Sequence, residues 1–454
     1  YLVELGVNIV ELMPVTSFPG NRGWGYDGVG LYAVHDAYGG PAALQRFVDA
    51  SHAHGIGVCL DVVYNHLGPS GNYLANFGPY FSETHATHWG GAGLNLDGPD
   101  CGPVRAFVLE NAERWLRDFH VDGLRLDAVH EISDDAPVQI LADMSSRVAV
   151  LSAELGRRFF LVVESDLNDP AMVTPTAEAG FGMDAQWDDD VHHALHAYLT
   201  GETFGYYNAD FGTAETLEKA LTKVFVHNGT FSTFRGTDWG KPVGDDVDRR
   251  RFVVFSQNHD QVGNRALGDR PDATVPPGIV AGGAALLLLS PYTVMLFQGQ
   301  EWGARTPFQF FTDHGGDIGD LVAAGRREEF SGHGWEDLYG GDFEVPNPQD
   351  VATFENSRLR WPDLEQPDHR AMLAWYRELI ALRRAEFGDG DGAGDQTVHV
   401  DHGDGWFRMI RGPLSVIVSR GEVREVLEPP GGHLVLAFGT VTAAPDGVVT
   451  LGPD

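Results

Sequence analysis

The sequence predicts an α/β fold: a (β/α)8 barrel of the TIM type, followed by a small C-terminal antiparallel β domain. Seven short apolar runs recur along the chain with helical segments between them. The runs are continuously hydrophobic, which is typical of parallel strands covered on both faces by helices. Polar residues cluster at one end of each run, as at the mouth of a barrel. A doubly wound sheet is the alternative, but it would not by itself explain that clustering.

The predicted strands alternate with segments of helical periodicity. The segments 40–55 and 102–121 each carry a Pro near their start, as helices often do. A barrel of this type needs eight strands. The chain opens with "YLVELGVNIVELMPV", which reads as the end of a helix running into a strand. We therefore expect the first barrel strand to lie upstream of Tyr1. The predicted strands occupy residues 8–15, 57–66, 122–130, 159–165, 182–188, 251–260 and 293–299.

The composition and hydrophobic pattern of the sequence change near residue 389. The stretch "GDGDGAGD" reads as a linker, and alternating Val, Ile and aromatic residues separated by Gly-rich turns follow it. We predict a catalytic barrel over 1–388 and a β-sandwich-like domain over 389–454. The Gly- and Asn-rich segment at about 67–101 is too long for an ordinary connection between strand and helix, and we expect a functional loop over the barrel mouth.

Composition excludes several classes of partner. The net charge is −34, from 31 Lys and Arg against 65 Asp and Glu, and this charge repels nucleic-acid phosphates and anionic lipids. We expect no nucleic acid and no membrane as partners, and a neutral substrate fits better. Cys59 and Cys101 form no disulfide framework, which favours a reducing, cytoplasmic setting. The most apolar segment, 278–297, is interrupted by Ser290 and Pro291 and reads as a short helix followed by a strand.

Three acidic residues each end a different predicted strand. In "DGLRLDAVH" (122–130), Arg125 and Asp127 project to the same side of a strand, and the guanidinium would keep the carboxylate ionised, as a nucleophile requires. Glu164 ends the apolar run "FFLVV", a setting that raises a carboxyl pKa and suits a general acid. Asp260 is a third carboxylate that would stabilise positive charge. Such carboxylates are the equipment of glycoside hydrolysis.

Other residues in these runs suit contacts to a sugar. His66 and His259, when neutral, would hydrogen-bond hydroxyl groups, and Trp24 and Tyr26 in "GWGYDGVG" offer flat apolar faces. Each has a structural alternative: His66 would cap a turn, and the two aromatic residues would belong to the core.

Structural alternatives also exist for the charged residues. Arg125 with Asp127 or Asp61 would form an ordinary ion pair, and Asp184 and Asp188 would cap the start of a helix. The stretch "QWDDDVHHALH" resembles a metal site, but three acids before a helix favour capping and helix-dipole effects, and we expect no metal. One site shared by the acids at three strand ends is the simpler explanation.

Four motifs occur in the order, and at about the spacing, of the four sequence regions of the α-amylase superfamily, glycoside hydrolase family 13. The chain resembles this superfamily in "DVVYNH" (61–66), "DGLRLDAVH" (122–130), "VVESD" (162–166) and "QNHD" (257–260). The resemblance implies that Asp127 is the nucleophile, Glu164 the general acid and base, and Asp260 the stabiliser of the transition state. It implies a retaining reaction, with the first two carboxyl groups about 5 to 5.5 Å apart.

The resemblance also implies substrate-binding residues and no cofactor. Four of them would line the subsite of the sugar being cleaved: Tyr26, His66, Arg125 and His259. Asp166 and Trp187 are candidates for the trehalose side because they lie just past strand ends, and His130, after the third strand, is a further candidate binding residue.

The residues that flank these motifs narrow the expected reaction. "QNHDQVGNRALGDR" and "LSPYTVMLFQGQEWGA" resemble the trehalose-releasing members of the superfamily, which hydrolyse the α-1,4 bond next to the terminal trehalose. The expected substrate is therefore maltooligosyl-trehalose or a related α-1,4-glucan. A glycogen branching enzyme or another amylase-type glucanase is the alternative, since "GWGYDGVGLYAV" is similar in both. A catalytically dead glucan-binding module should lack at least one of the three acids.

Overall fold

The computed structural model describes residues 1–87, 91–204, 210–331, 335–340, 343–388, 396–420, 424–428 and 432–452. Its central feature is a seven-stranded parallel sheet whose strands follow one another in chain order. This finding confirms the predicted α/β fold. The strands of this sheet are β1 (Ile9–Leu12), β2 (Gly57–Val62), β5 (Gly123–Leu126), β6 (Phe160–Val163), β7 (Ala185–Trp187), β10 (Phe252–Val254) and β11 (Thr293–Val294).

Helices fill the intervals between the strands, and the sequence shows why several begin and end where they do. Pro occupies the first turn of the helices that start at Gly40 and Gly102, where its missing N–H has no partner to lose. Gly156 and Gly201, both with positive φ, end two others. The helices are α1 (Leu2–Leu5), α2 (Gly40–Ala53), α3 (Gly102–Asp118), α4 (Ile140–Leu155), α5 (Asp189–Thr200), α6 (Ala214–Lys223), α7 (His259–Gly263), α8 (Pro271–Thr274), α9 (Pro277–Leu288), α10 (Gly316–Glu329), α11 (Trp335–Tyr339), α12 (Val351–Asn356) and α13 (Pro367–Phe387).

Short 3-10 turns complete the helical structure. They span Asp36–Tyr38, Leu74–Asn76, Val129–Glu131, Pro170–Met172, Thr176–Glu178, Arg249–Arg251, Gln300–Trp302 and Trp361–Glu365.

The register of the sheet aligns the ends of neighbouring strands. Arg125 on β5 pairs with Asp61 on β2 and with Val162 on β6. Strand β6 then pairs with β7, and β7 pairs with β10. Because all of these strands run in the same direction, the residues that follow them meet at one edge of the sheet.

Two apolar cores cover the sheet. One core packs α2, α3 and α4 against the first strands, with Trp115 of α3 fully buried. The other core packs α5, α6, α9 and α13 against the later strands, with Phe252 of β10 fully buried. Strands with both faces covered need no polar face, which explains the continuous apolar runs of the sequence.

The insertion at 67–101 has secondary structure of its own, which the sequence analysis did not predict. Strands β3 (Phe81–Ala86) and β4 (Ala92–Leu94) pair antiparallel. The side chain of Asn95 ties the end of this hairpin together, because it donates to two backbone carbonyls and accepts from the Gly98 amide. His85 and Leu94 of the hairpin line a small cleft with Asn65, so the insertion lies beside the end of β2.

Two antiparallel sheets form the C-terminal part of the chain, as predicted. They are β12–β13–β14 and β15–β17–β16, and β14 packs on α9. Arg411 of β13 donates to the Ser290 carbonyl at 2.6 Å. The predicted linker falls on 389–395, outside the described residues, so the boundary at 388/389 stays a prediction. These strands are β12 (Val398–Gly403), β13 (Trp406–Arg411), β14 (Leu414–Ser419), β15 (Arg424–Leu427), β16 (Val441–Ala443) and β17 (Val448–Leu451).

A second small hairpin precedes β10. It consists of β8 (Thr230–Ser232) and β9 (Thr237–Trp239), which pair antiparallel.

The most apolar segment of the chain is divided as the sequence indicates. Helix α9 ends at Leu288, and β11 follows the interruption at Ser290 and Pro291. Over the part of the chain that the structure describes, no helix has the length and apolar character that crossing a bilayer requires.

Candidate active site

Arg125 lies at the centre of the site. Its side chain is 0% exposed. Its Nη1 lies 2.8 Å from Asp61 Oδ2 and 2.8 Å from Asp127 Oδ1, and its Nη2 lies 2.8 Å from Glu164 Oε2. The ring of Trp187 supports the guanidinium from below, 4.2 Å from its central carbon. One cation therefore holds carboxylates from the ends of three adjacent strands, and this explains a charged pair inside an apolar run.

Asp127 is oriented through both of its oxygens. Oδ1 accepts from Arg125, and Oδ2 accepts from Asn65 Nδ2 at 2.8 Å. The same amide nitrogen of Asn65 donates to the backbone carbonyl of Asp127 at 2.8 Å. Two oxygens that both accept hydrogen bonds match an ionised carboxylate, which has acceptors only. Donors therefore fix both oxygens of this carboxyl group, an arrangement that suits a nucleophile.

Glu164 has the opposite electrostatic setting. Burial raises the pKa of Glu164 well above its usual range; Arg125 opposes this effect, and the charges of Asp127 and Asp260 add to it. Its Oε2 accepts from the Ala128 amide at 2.9 Å. Ala128 adopts a left-handed conformation with φ of 39°, a strained geometry that turns this amide toward Glu164. A carboxyl that keeps its proton at neutral pH can act as a general acid.

Asp260 lies on the first turn of α7, directly after the end of β10. The Asn258 side chain caps this helix by accepting from the Gln261 amide at 2.6 Å. Asp260 Oδ2 lies 3.4 Å from His259 Nε2, and the Asp260 side chain is 34% exposed. Burial lowers the pKa of His259, so this imidazole is neutral. The third acid is therefore open to a ligand and has a neutral neighbour.

Tyr26 connects the carboxylate cluster to His259. Its hydroxyl donates to Asp61 Oδ2 at 2.7 Å and lies 2.7 Å from His259 Nε2, and the two rings stack at 5.2 Å. Burial, reinforced by Asp127 and partly offset by Arg125, raises the pKa of Asp61 to about 8. The phenol ring thus closes one side of the cluster.

His66 and Trp24 support Tyr26. His66 Nε2 lies 2.8 Å from the Tyr26 carbonyl, and its Nδ1 contacts Asn65 Oδ1. Trp24 is buried, stacks on Phe308 at 5.1 Å and meets His259 edge-on. Trp24 is therefore a core residue, as its structural alternative predicted.

Comparisons with known proteins show which family the chain belongs to. The sequence model of the α-amylase catalytic domain matches residues 1–89. The malto-oligosyltrehalose trehalohydrolase of Arthrobacter ramosus is 52% identical over 454 residues, which are 100% of this chain and 77% of that protein. The chain belongs to the malto-oligosyltrehalose trehalohydrolase family. The Mycobacterium tuberculosis trehalohydrolase (strain H37Rv) is 46% identical over 96% of this chain and 74% of its own length.

A solved structure from Salmonella typhimurium, described as an α-amylase candidate, has a similar fold. It superposes with a TM-score of 0.83 at 34% identity, over 99% of this chain and 76% of its own. The TIM-barrel fold predicted from the alternating strands and helices is therefore confirmed, and so is the trehalohydrolase family inferred from the residues that flank the four motifs.

The predicted binding residues of this trehalohydrolase family member fall into three places. Three of them lie outside the central cluster. His130 and Asp166 form a group beside it, where His130 Nε2 lies 3.9 Å from Asp166 Oδ1 and Asp166 pairs with Arg235 at 2.9 Å. Trp187 is 2% exposed and offers almost no surface to a substrate, unlike its predicted place on the leaving-group side. The cluster itself contains Tyr26, His66, Arg125, Asp127, Glu164, His259 and Asp260.

Helix capping was the predicted structural role of both Asp184 and Asp188, and it holds for only one of them. Asp188 caps α5, because its Oδ1 accepts from the Val191 amide, as predicted. The prediction for Asp184 is wrong: it precedes β7 and accepts from the Leu161 amide at 2.9 Å, so it joins two strands and caps no helix.

Within the described parts of the chain, the side chains of 186–196 form no group with the geometry of a metal site. There, the group with suitable geometry for a cation is His85, Asp97 and Asp135, whose closest pair is His85 Nε2 to Asp97 Oδ2 at 2.9 Å.

Sequence reasoning missed two residues of the site. Asn65 precedes His66 in "DVVYNH", and its adjacency to a predicted binding residue was the available signal. Asp189 lies in the run of three acids at 188–190, where the capping interpretation concealed it. Burial, together with the charges of Asp260 and Asp190, raises the pKa of Asp189 to about 7.

Proposed function

We propose that this chain is a retaining α-glucan hydrolase that cleaves the α-1,4 bond next to the terminal trehalose of maltooligosyl-trehalose and releases trehalose. The observation that carries the proposal is the single guanidinium of Arg125, which holds Asp127 and Glu164 together while their other contacts differ. The names of the relatives, which are 52% and 46% identical, support the choice of substrate.

The first half of the reaction forms a glucosyl-enzyme. Asp127 attacks the anomeric carbon, and Glu164 gives its proton to the glycosidic oxygen as the bond to trehalose breaks. Positive charge develops at the sugar ring, and Asp260 is placed to stabilise it. In the second half, Glu164 takes a proton from water, the water attacks the same carbon, and Asp127 is released. Two inversions give net retention.

The electrostatics of the cluster support both roles of Glu164. The negative charge of Asp127 is one of the causes that raise the pKa of Glu164. When Asp127 becomes an ester, this charge disappears and the pKa of Glu164 falls. The group that gave a proton in the first step then becomes a base for the second step.

The surrounding residues would hold the two sugars on either side of the bond. We assign Tyr26, His66 and His259 to the glucose that Asp127 attacks. Arg125, predicted as a binding residue, is fully buried and instead positions Asp127 and Glu164. His130 and Asp166 form the neighbouring group and are assigned to the trehalose side.

Two further proposals concern the whole chain. The barrel unit would span 1–388 and the β domain 389–454. Cys59 and Cys101 are both free, which supports a reducing, cytoplasmic setting.

The test combines substitution with product analysis. Asp127→Asn and Glu164→Gln should each lower turnover at least about a thousandfold while the unfolding midpoint stays close to that of the parent, because each keeps the shape of the side chain. The control is Asp184→Asn, a carboxyl at the opposite end of β7, which should keep its activity.

Products identify the reaction. Incubation with maltooligosyl-trehalose should give free trehalose. New α-1,6 branches on amylose would indicate a branching enzyme instead, and short maltooligosaccharides alone would indicate an ordinary amylase. Substantial hydrolysis by either acid variant would remove that residue from its role.

A further inference from the structure

A fourth acid completes the row of strand ends. Strands β5, β6, β7 and β10 are consecutive neighbours in the sheet. Asp127, Glu164 and Asp260 follow the first, second and fourth of them, and Asp189 follows the third. Asp189 therefore lies between the proposed acid and the proposed stabiliser around the mouth of the barrel.

The three acids at 188–190 have different environments. Asp188 caps α5 through the Val191 amide. Asp190 turns into the protein, where its Oδ2 accepts from the His227 amide at 2.8 Å and from Asn168 at 2.9 Å. Asp189 is half-buried, and its Oδ1 accepts from Gln261 Nε2 at 3.4 Å. Of the three acids, Asp189 is therefore the one that contacts α7, the helix that carries Asp260.

We propose that Asp189 is a positioning residue whose negative charge helps to keep the proton on Glu164 until the leaving group takes it. This inference rests on the proposed role of Glu164 as general acid.

The charges around the two carboxyls determine when this effect operates. Asp189 contributes to the raised pKa of Glu164, and its own pKa lies near 7. Below pH 7 Asp189 is mostly neutral and has little influence. As the pH rises above 7 it ionises and opposes the loss of the Glu164 proton. The charged groups that face Asp189 are Asp166, Asp190, Asp260 and Glu164, and those that face Glu164 are Arg125, Asp127, Asp189 and Asp260.

The test is the pH dependence of kcat/KM for trehalose release from maltooligosyl-trehalose. Asp189→Asn keeps the size of the side chain and removes its charge. The kcat/KM profile of this variant should coincide with that of the parent below about pH 6. Its basic limb should shift to lower pH by about half a pH unit to one unit. On the basic limb, where the profile falls with pH, the loss would then be about 3- to 10-fold at any given pH.

Two comparisons make the test specific. Asp184→Asn, at the other end of β7, should leave the basic limb in place. An aryl maltooligoside with a dinitrophenolate leaving group needs no proton, so with this substrate the difference between parent and Asp189→Asn should vanish.

An equal loss of kcat/KM at every pH would overturn the inference, because a merely structural or binding role gives parallel profiles. If Asp189→Asn does not fold, two other variants replace it. Asp189→Glu must leave the basic limb at the pH of the parent, and Asp189→Ser must shift it to lower pH. Any other result also rejects the inference. Failure of the proposed function is separate: Glu164→Gln would then retain turnover, whatever Asp189 does.

Discussion

Removing the charge of Arg125 should destabilise the protein in a pH-dependent way. Arg125→Met fills similar volume but leaves the carboxyl groups of Asp61, Asp127 and Glu164 without their shared cation. Breaking a buried ion pair by removing one partner costs about 3–5 kcal/mol, and we expect a loss of that size in the free energy of unfolding at pH 8.

The sign of the pH dependence follows from the raised pKa values. The pKa of Asp61 is about 8 in the folded protein, and the pKa of Glu164 is also raised, with Arg125 lowering both. Without Arg125 both values rise further above those of the unfolded chain. Acids of this kind destabilise the fold as the pH rises from about 4 toward the folded pKa, and the destabilisation is constant above that pKa. Parent and variant therefore share the same pH dependence up to about pH 8, where Asp61 ionises in the parent. Above that pH only the variant goes on losing stability, so the loss should be larger at pH 9.5 than at pH 8 by about 1 kcal/mol or more.

Urea unfolding at pH 8 and pH 9.5, followed by tryptophan fluorescence, measures both quantities. Arg305→Met is the matched control: Arg305 pairs with Asp368 at 2.7 Å, but both side chains are almost half exposed, so its loss should stay below about 1 kcal/mol. Adding Asp61→Asn to Arg125→Met should restore part of the stability. A loss for Arg125→Met that is as small as the control's, or identical at the two pH values, would refute the electrostatic account.

Two further substitutions test how the site is held. Asn65→Ala removes the amide that donates to Asp127 Oδ2, and we expect kcat/KM to fall about 10- to 100-fold with a loss of about 1–3 kcal/mol in stability; unchanged kinetics would show that Arg125 alone orients Asp127. Gly25→Ala places a Cβ 2.3 Å from the Pro14 carbonyl oxygen at a φ of 102°, so the loop that carries Tyr26 must move; we expect a loss of at least about 2 kcal/mol by thermal unfolding and a raised KM, and a variant as stable as the parent would contradict the close approach.

The barrel strands could be predicted from the sequence because their signal is local. The inner strands of the central sheet are almost wholly buried, so a short run of apolar residues marks each of them without any knowledge of its partners. The hairpin β3–β4 was missed for the opposite reason. Its strands are only partly buried and contain no continuous apolar run, and side-chain links such as those of Asn95 hold it together.

The acids of the site could be found because they follow strand ends, but their neighbours could not be assigned. Nothing local separates Asp184 from Asp188, although one joins two strands and the other caps a helix. The environment of Trp187 could not be assigned from the local sequence either. Its alternation along β7 places it beneath Arg125, and only the pairing of β7 with its neighbours shows that this face is closed.

Protons balance much of the charge in this site. Asp61, Asp127 and Glu164 gather around one guanidinium, which compensates one negative charge, and Asp260 is a fourth acid whose charge acts on Glu164. Burial raises the pKa values of Asp61 and Glu164, so near neutral pH two of the four carboxyls can remain uncharged. The proton on Glu164 is the one the reaction consumes and returns. A second cation would have satisfied the same acids, but it would have lowered the pKa of Glu164 and removed its ability to protonate a leaving group at neutral pH.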